Sequence, residues 1–353
     1  MEFYIYAINP GSTSTKVALY RNEELVFKES FDHPHGEIEK CGSLPGEVPM
    51  RRALVLGALE KHGYSPRDLS CVMGRGGMLP SVMTGGYRVN QKMLDMILNE
   101  EIPGHASNLG AVLAYGVAQL AGVDAYIYDA VSASEFPPVA RITGMKEVRR
   151  KSFCHVLNSR AVAIKYAQSR GKIYDEINLI VAHLGGGITM SAHRRGGIVE
   201  SLSDDNGPFA PERAGSVPLL DVIALCYSGE YTEKEMIKKV RGMGGLKDLL
   251  GTSDGRKIEK MVSDGDPYAT LVMEAQAYQI AKGIALVSPA LKGDCEVIIL
   301  TGGLAYDASL VENVKEYIGW LAPLEIMPGE FEMEALALGG LRILRRQEKF
   351  NEL

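Results

Sequence analysis

Residues Ile5–Tyr20 read IYAINPGSTSTKVALY, and residues Leu179–Arg194 read LIVAHLGGGITMSAHR. The two stretches align at an offset of 174 residues, which sets Asn9 against His183 and Gly11 against Gly185. In each, an apolar run meets a polar residue, a glycine-bearing turn, an alternating run, and a polar corner at Arg21-Asn22 or Arg195-Gly196. One hairpin motif is used twice, which predicts an α/β chain of two domains. Taken singly, each is an ordinary tight hairpin. The shared offset, the hydroxyl cluster Ser12-Thr13-Ser14-Thr15 and a third turn at Thr301-Gly302-Gly303-Leu304 point further. Glycine lets the main chain approach closely, and turns present backbone N–H groups to an anion. A nucleotide phosphate chain fits two such turns.

Working outward, strand patterns fall at 3–8, 15–20, 25–28, 69–73 and 125–129, with helical patterns near 50–63, 91–100 and 107–121. The second half repeats the plan, with strands near 178–183, 188–193, 198–201 and 296–300 and helices near 218–228, 232–240 and 266–288. Asp266-Pro267 is a helix start of the N-cap and N1 type. Gly- and Pro-rich stretches at 32–49, 74–86 and 204–218 are the expected loops. The last segment, Glu334–Arg346, has helical periodicity and can pack on either domain.

A chain of 353 residues is long enough for two cores. With 46% hydrophobic and 23% charged residues, its composition is that of a globular protein. The net charge of −6, with short basic runs only at Arg149-Arg150-Lys151 and Arg345-Arg346, argues against a nucleic acid or anionic membrane partner. Five cysteines, odd in number and never spaced C-x-x-C, predict neither a disulfide framework nor a zinc site, and a reducing cytoplasm is expected. No basic leader precedes the first apolar run and no stretch reaches a membrane span of about 18 apolar residues, so a soluble, unexported protein is expected.

Common phosphate motifs do not match. Gly11 to Lys16 lacks the second P-loop glycine, and a dinucleotide fingerprint from Gly185 or Gly74 meets Met190 or Leu79 where glycine is required. Gly251-Thr252-Ser253-Asp254-Gly255 satisfies the nucleophile-elbow pattern, yet that fold needs a histidine after its serine and the last histidine is His193.

INPGSTSTK at 8–16, GHASNLGA at 104–111, RKSFCH at 150–155, AHLGGGI at 182–188, FAPERAG at 209–215, LGTSDGR at 250–256 and LTGGLA at 300–305 run in order along nearly the whole chain. Together they resemble the butyrate kinase branch of the acetate kinase group, the acetokinase family within the actin-like ATPases. The resemblance implies two ribonuclease-H-like domains with a nucleotide cleft between them, divided as 1–155 plus 335–353 and 156–334. It implies ATP and Mg2+, a short carboxylate or its acyl phosphate as the small-molecule partner, and a homodimer or higher homo-oligomer. The alternatives are an acetate or propionate kinase, or a nucleotide-sensing ATPase of the same fold.

By the same resemblance Arg75, in GRGG, and Arg213, in PERAG, are the two active-site arginines, each gripping the carboxylate or the transferring phosphoryl oxygens. His155 donates to the phosphoryl group, His105 supports the substrate, and His183 lies near the phosphates. Asp129, ending AYIYD, is the acid at a strand end and positions either His155 or a metal-bound water. Glu332 and Asn9 are the metal candidates, although the family's glutamates are adjacent and Glu330, Glu332 and Glu334 alternate. The nucleotide set comprises Asn9, Ser12, Ser14, Lys16, His183, Gly185, Gly186, Gly187, Asp254, Arg256, Gly302 and Gly303. Lys16 either contacts phosphate or caps an exposed strand end.

Overall fold

The computed structural model describes residues 2–80 and 82–353; Met1 and Ser81, the latter in the expected 74–86 loop, lie outside the described residues. Two compact units emerge. The first takes residues up to Ser134 together with Val156–Ala161 and Phe331–Leu353, and the second takes Glu135–His155 and Val162–Glu330. The expected division instead drew its boundaries at 155/156 and 334/335. In the structure 135–155 groups with the second unit, while 156–161 and 331–334 group with the first.

The first unit is built on seven strands: β1 (Tyr4–Pro10), β2 (Ser14–Arg21), β3 (Glu24–Asp32), β4 (Cys71–Arg75), β5 (Gly86–Arg88), β6 (Ala125–Tyr128) and, from the C-terminal end, β12 (Phe350–Asn351). Their order is β12-β5-β6-β4-β1-β2-β3. The second unit has β7 (Asn178–Leu184), β8 (Ile188–Arg194), β9 (Gly197–Leu202), β10 (Val297–Gly302) and β11 (Leu324–Pro328), in the order β11-β10-β7-β8-β9. In both, an antiparallel meander continues into parallel strands: β3-β2-β1-β4-β6 in one and β9-β8-β7-β10-β11 in the other. The repeated hairpin is therefore the start of a larger repeated sheet.

The repeat is not of constant offset. β1 and β7 align at 174, but the turn from Pro10 to Thr15 spans four residues and the turn from Leu184 to Ile188 spans three. Beyond the turns, the bulge at Leu19/Tyr20 corresponds to that at Ala192/His193. The corners likewise are Asn22 and Arg195, both with positive φ, at 54° and 46°. The second arm thus repeats at an offset of 173, and the expected pairing of the Arg21-Asn22 corner with Arg195-Gly196 is one residue out. Because side chains alternate faces along a strand, that one residue decides what stands opposite what. Asn9 pairs with Lys16, and His183 pairs with Thr189.

The first core joins Ile5, Ala7, Ala18, Met73 and Tyr128 to Leu336, Ala337 and Leu341 of the helix Glu332–Leu344, which settles where the C-terminal segment packs. The second joins Ile180, Ala182, Ile188 and Leu300 to Ile280 and Ile284 of the helix Pro267–Val287 and to Leu310 and Val314 of the helix Ala308–Ile318. Each fully buried aliphatic side chain contributes about 1.5–3 kcal/mol, so these faces anchor the two sheets. Several elements have no counterpart in the sequence-based expectation: the helices Val156–Ser169, Gly255–Ser263 and Ala308–Ile318, the strand β11, and the short helix His35–Lys40 inside the expected 32–49 loop. No helix among the described residues is long and apolar enough to cross a membrane.

Candidate active site

The parallel strands of the first unit end together. Ile8 pairs with Gly74 across β1 and β4, so Asn9 and Arg75 follow at the same edge, and Asp129 follows β6. Such carboxyl ends are where α/β sheets gather functional groups. Arg75 is seated by close packing, since a Cβ on Gly110 would lie 2.3 Å from the Arg75 carbonyl oxygen. Only glycine allows the helix Leu109–Ala121 to approach β4 this closely.

The Arg75 guanidinium donates from Nη1 to Asn9 Oδ1 at 3.3 Å and to Glu332 Oε2 at 3.3 Å, and its Nη2 lies 3.2 Å from Glu332 Oε1. Asn9 Nδ2 donates to Glu332 Oε2 at 2.6 Å, and Glu332 is buried. Glu332, the middle of the three alternating glutamates, is joined to Asn9 and Arg75. Asn9 Oδ1 and the Glu332 carboxylate are hard oxygen donors of the kind Mg2+ takes when waters and phosphate oxygens complete its shell. Their chemistry fits that ion, in competition with the Arg75 guanidinium. Among the described residues no group of three or more His, Cys, Asp or Glu is arranged to hold a metal.

Asp129 is buried, with φ at 48°, and its carboxylate accepts the Gly85 N–H at 2.7 Å and pairs with Arg160. Burial pushes the Asp129 carboxyl above its ordinary range, against the pull of the Arg160 guanidinium and the Gly85 amide. These contacts tie the 84–86 turn to the end of β6 and to Arg160. His105 begins a 3-10 turn, its Nδ1 accepting the Ser107 N–H at 3.2 Å and meeting Ser107 Oγ at 2.6 Å.

The first glycine turn carries an unexpected support. Arg51, fully buried on the helix Val48–Lys61, donates to the carbonyl oxygens of Gly11 at 2.9 Å and Ser14 at 3.1 Å and to Thr15 Oγ1 at 2.7 Å. Glu47 neutralises it at 2.7 Å. Ser12 and Thr13 stand exposed at the tip, while Ser14 and Lys16 are half-buried on β2.

In the second unit the Gly185-Gly186-Gly187 turn sits with two histidines. The rings of His155 and His183 stack at 3.8 Å with an interplanar angle of 12°. A Cβ at Gly185 would press on the His183 ring, 2.9 Å from Nε2, whereas one at Gly187 would only reach ordinary contact, 3.8 Å from His155 Cε1 and 3.4 Å from Asp204 Cβ. His155 Nδ1 meets Thr189 Oγ1 at 2.9 Å.

Asp204 in turn holds Arg213, whose Nε lies 3.2 Å away, and also pairs with Arg241. The Arg241 guanidinium lies over the Phe153 ring, 5.1 Å from its centroid. Arg213 and Arg241 are bridged through their backbones, and the tight turn Ala210–Arg213 rests on Gly245, with φ at 68°, where a Cβ would fall 1.8 Å from the Ala210 carbonyl oxygen. Asp204, Arg241, Thr189 and Arg51 were not among the residues singled out from sequence. Thr189 lies within the second repeated hairpin but nothing in its type marks it, no motif surrounds Asp204, Arg241 or Arg51, and the relation of all four to the glycine turns is made by strand register and chain return.

The remaining nucleotide candidates separate. Thr301 pairs with His183 across β10 and β7, so Gly302 and Gly303 stand at the same sheet edge as the triple-glycine turn. Asp254 caps the helix Gly255–Ser263 by accepting the Arg256 N–H at 3.0 Å, and the Arg256 side chain is 95% exposed. This geometry is that of a helix start.

A family model described as the acetokinase family matches residues 120–327, more than half of the chain. Three solved structures share the fold over nearly its full length. An acetate kinase from Porphyromonas gingivalis is 18% identical, covers 97% of this chain and 100% of its own, and superposes with a TM-score of 0.78. An acetate kinase from Entamoeba histolytica is 14% identical, covers 95% and 98%, and has a TM-score of 0.76. A propionate kinase from Francisella tularensis subsp. tularensis SCHU S4 is 15% identical, covers 95% and 98%, and has a TM-score of 0.70. With the two-sheet α/β architecture and the family match both in place, the chain belongs to the acetokinase family.

Proposed function

We propose that the protein catalyses reversible, ATP-dependent phosphorylation of a short-chain carboxylate to its acyl phosphate by direct in-line transfer, with butyrate or a branched relative as the preferred acid. The observation that carries the reading is that each of the two arginines the resemblance singles out is oriented by a carboxylate of its own unit, Arg75 by Glu332 beside Asn9 and Arg213 by Asp204 beside the triple-glycine turn. A short carboxylic acid ionises like a Glu side chain, near a pKa of about 4.3, so at neutral pH it is already a nucleophile and needs no base. The barrier is the approach of one anion to another, which calls for oriented positive charge and alignment. Arg75 and Arg213 supply planar donor forks for the carboxylate and the phosphoryl oxygens. The glycine turns offer backbone N–H groups to the ATP phosphates, and His155 donates to the transferring group.

Asn9 and Glu332 would hold Mg2+, which screens phosphate charge when bound. Five free cysteines are consistent with a reducing cytoplasm as the site of action. The functional unit is proposed to be a homo-oligomer.

The test is hydroxylamine trapping of acyl phosphate with MgATP across acetate, propionate, butyrate, isobutyrate and valerate. Hydroxamate peaking at the four-carbon acids supports the assignment. A peak at acetate or propionate moves the substrate and keeps the reaction, and ATP binding without hydroxamate from any acid overturns carboxylate transfer in favour of nucleotide sensing. One methylene in an apolar pocket is worth about 1–3 kcal/mol, so the profile should be a graded preference of roughly 10–200-fold.

A further inference from the structure

We infer that Thr189 is a positioning residue: its hydroxyl fixes His155 as the neutral tautomer protonated on Nε2, so that the ring is a hydrogen-bond donor and not a base. The inference rests on the proposed role of His155 in phosphoryl transfer and adds how that role is set.

The argument is an account of one hydroxyl. Thr189 is buried on β8, with 1% exposure. Its Oγ1 receives the backbone N–H of His155 at 3.3 Å and lies 2.9 Å from His155 Nδ1. A threonine hydroxyl has one proton to give and can accept as well, whereas a backbone N–H can only donate. The first contact therefore uses an acceptor position on Oγ1. In the second, either Nδ1–H donates to Oγ1 or the hydroxyl proton goes to the Nδ1 lone pair.

If Nδ1 carried the proton, Oγ1 would accept twice, and the structure gives the hydroxyl proton no other acceptor among the described residues. Leaving such a donor unpaired in the interior carries the full desolvation penalty, and buried polar groups are overwhelmingly paired. The arrangement that spends every donor has the hydroxyl donating to Nδ1, and the ring proton then resides on Nε2. Forming an imidazolium would force a proton onto Nδ1 and turn the same hydroxyl away. Position 189 is thus the second-unit equivalent of the Lys16 position, opposite His183 in the register of β7 and β8, but with a hydroxyl turned to the histidine's service.

The experiment uses the whole protein labelled with 15N-histidine. Two-bond 15N–1H correlation spectra at neutral pH should show His155 with an unprotonated Nδ1 and a protonated Nε2, assigned by loss of the signals in His155→Gln. In Thr189→Val, which keeps shape and removes the hydroxyl, that pattern should give way to a tautomer mixture. Thr189→Ser should restore it.

In parallel, Thr189→Val should lower kcat on the order of tenfold or more, with KM for ATP and acid little changed, and Thr189→Ser should recover most of it. A protonated Nδ1 in the unmodified protein overturns the inference, whether or not the valine variant folds. An unchanged tautomer in a folded Thr189→Val protein also overturns it. A shifted tautomer with unchanged kcat upholds Thr189 as the determinant and removes His155 from the transfer step, so the two readings fail separately.

Discussion

Arg75 and Arg213 are asked to act alike from different surroundings: Arg75 is tied into a buried amide–carboxylate pair, while Arg213 shares the Asp204 carboxylate with a second arginine. Lysine keeps the charge at either position but loses the planar fork, which makes it the informative substitution. Arg75→Lys and Arg213→Lys should each lower kcat/KM by about 10²–10³-fold, the scale of removing one transition-state donor, with thermal midpoints near that of the unmodified protein. Unchanged turnover in both would remove the arginines from the site. A second residue-level prediction concerns His33, buried behind the first turn with its Nε2 2.8 Å from Thr15 Oγ1. Burial, then the nearby Arg51 charge, hold its pKa below the ordinary 6.5. The unfolded chain therefore binds the extra proton first, and stability falls as pH drops from about 6.5 toward the lower folded value. Urea midpoints followed between pH 7 and pH 5 should show that slope, and His33→Asn should flatten it. Arg75, Arg213 and the histidines stand out as candidates in the sequence because glycine-rich or distinctive motifs enclose them. Thr189 and Asp204 do not, since a lone threonine in a strand and an Asp in a loop read as ordinary until their partners are known.

At the level of elements, the hairpin Tyr4–Arg21 is stiffened by a clamp that comes from 36 or more residues away. Arg51 grips two turn carbonyls from behind while Glu47 cancels its charge, so the loop Gly11–Ser14 is held from the protein side and its tip stays exposed. Arg51→Met should cost about 3–5 kcal/mol, because it leaves Glu47 as a buried carboxylate without its partner. Glu47→Gln with Arg51→Met together should recover part of that loss, and denaturant unfolding of the single and double variants measures it. A single-variant loss below about 1 kcal/mol would show that the clamp is not structural. The repeated hairpin was legible from its apolar runs and glycines, and so was the helix Pro267–Val287 from its Asp-Pro start. The one-residue difference between the two turns was not, because glycine count does not fix loop length. It surfaces only in the register, where His183 pairs with Thr189 while the uniform offset would have aligned Lys16 with Met190. The helix Val156–Ser169 escaped for another reason: its buried face is mixed with Asn158, Ser159 and Arg160, which break the apolar period.

For the molecule as a whole, the surface least explained by a lone chain lies in the second unit, on the helix Leu219–Cys226, none of whose residues is buried. Leu219, Leu220, Ile223 and Tyr227 are 77%, 81%, 52% and 88% exposed, and Val217, Leu225, Ile237 and Met243 add further apolar surface. With the helix Glu233–Val240 it borders a groove of about 670 Å³ lined by Val222, Ile223, Tyr227, Met236 and Ile237. Monomeric proteins seldom leave contiguous apolar patches beyond a few hundred Å². Eight large side chains offering on the order of 100 Å² each approach the ~800 Å² per partner of a stable interface. A second copy of the chain is the occupant consistent with the proposed homo-oligomer, since a two-fold contact lets one patch cover itself. Light scattering should then give twice the 38.4 kDa chain mass at micromolar concentration. Leu220→Glu with Ile223→Glu should shift the protein to monomer, because burying four unpaired carboxylates across the two-fold is prohibitive. A protein that is monomeric before substitution would remove the self-association reading, and a dimer that survives both glutamates would move the interface to another face.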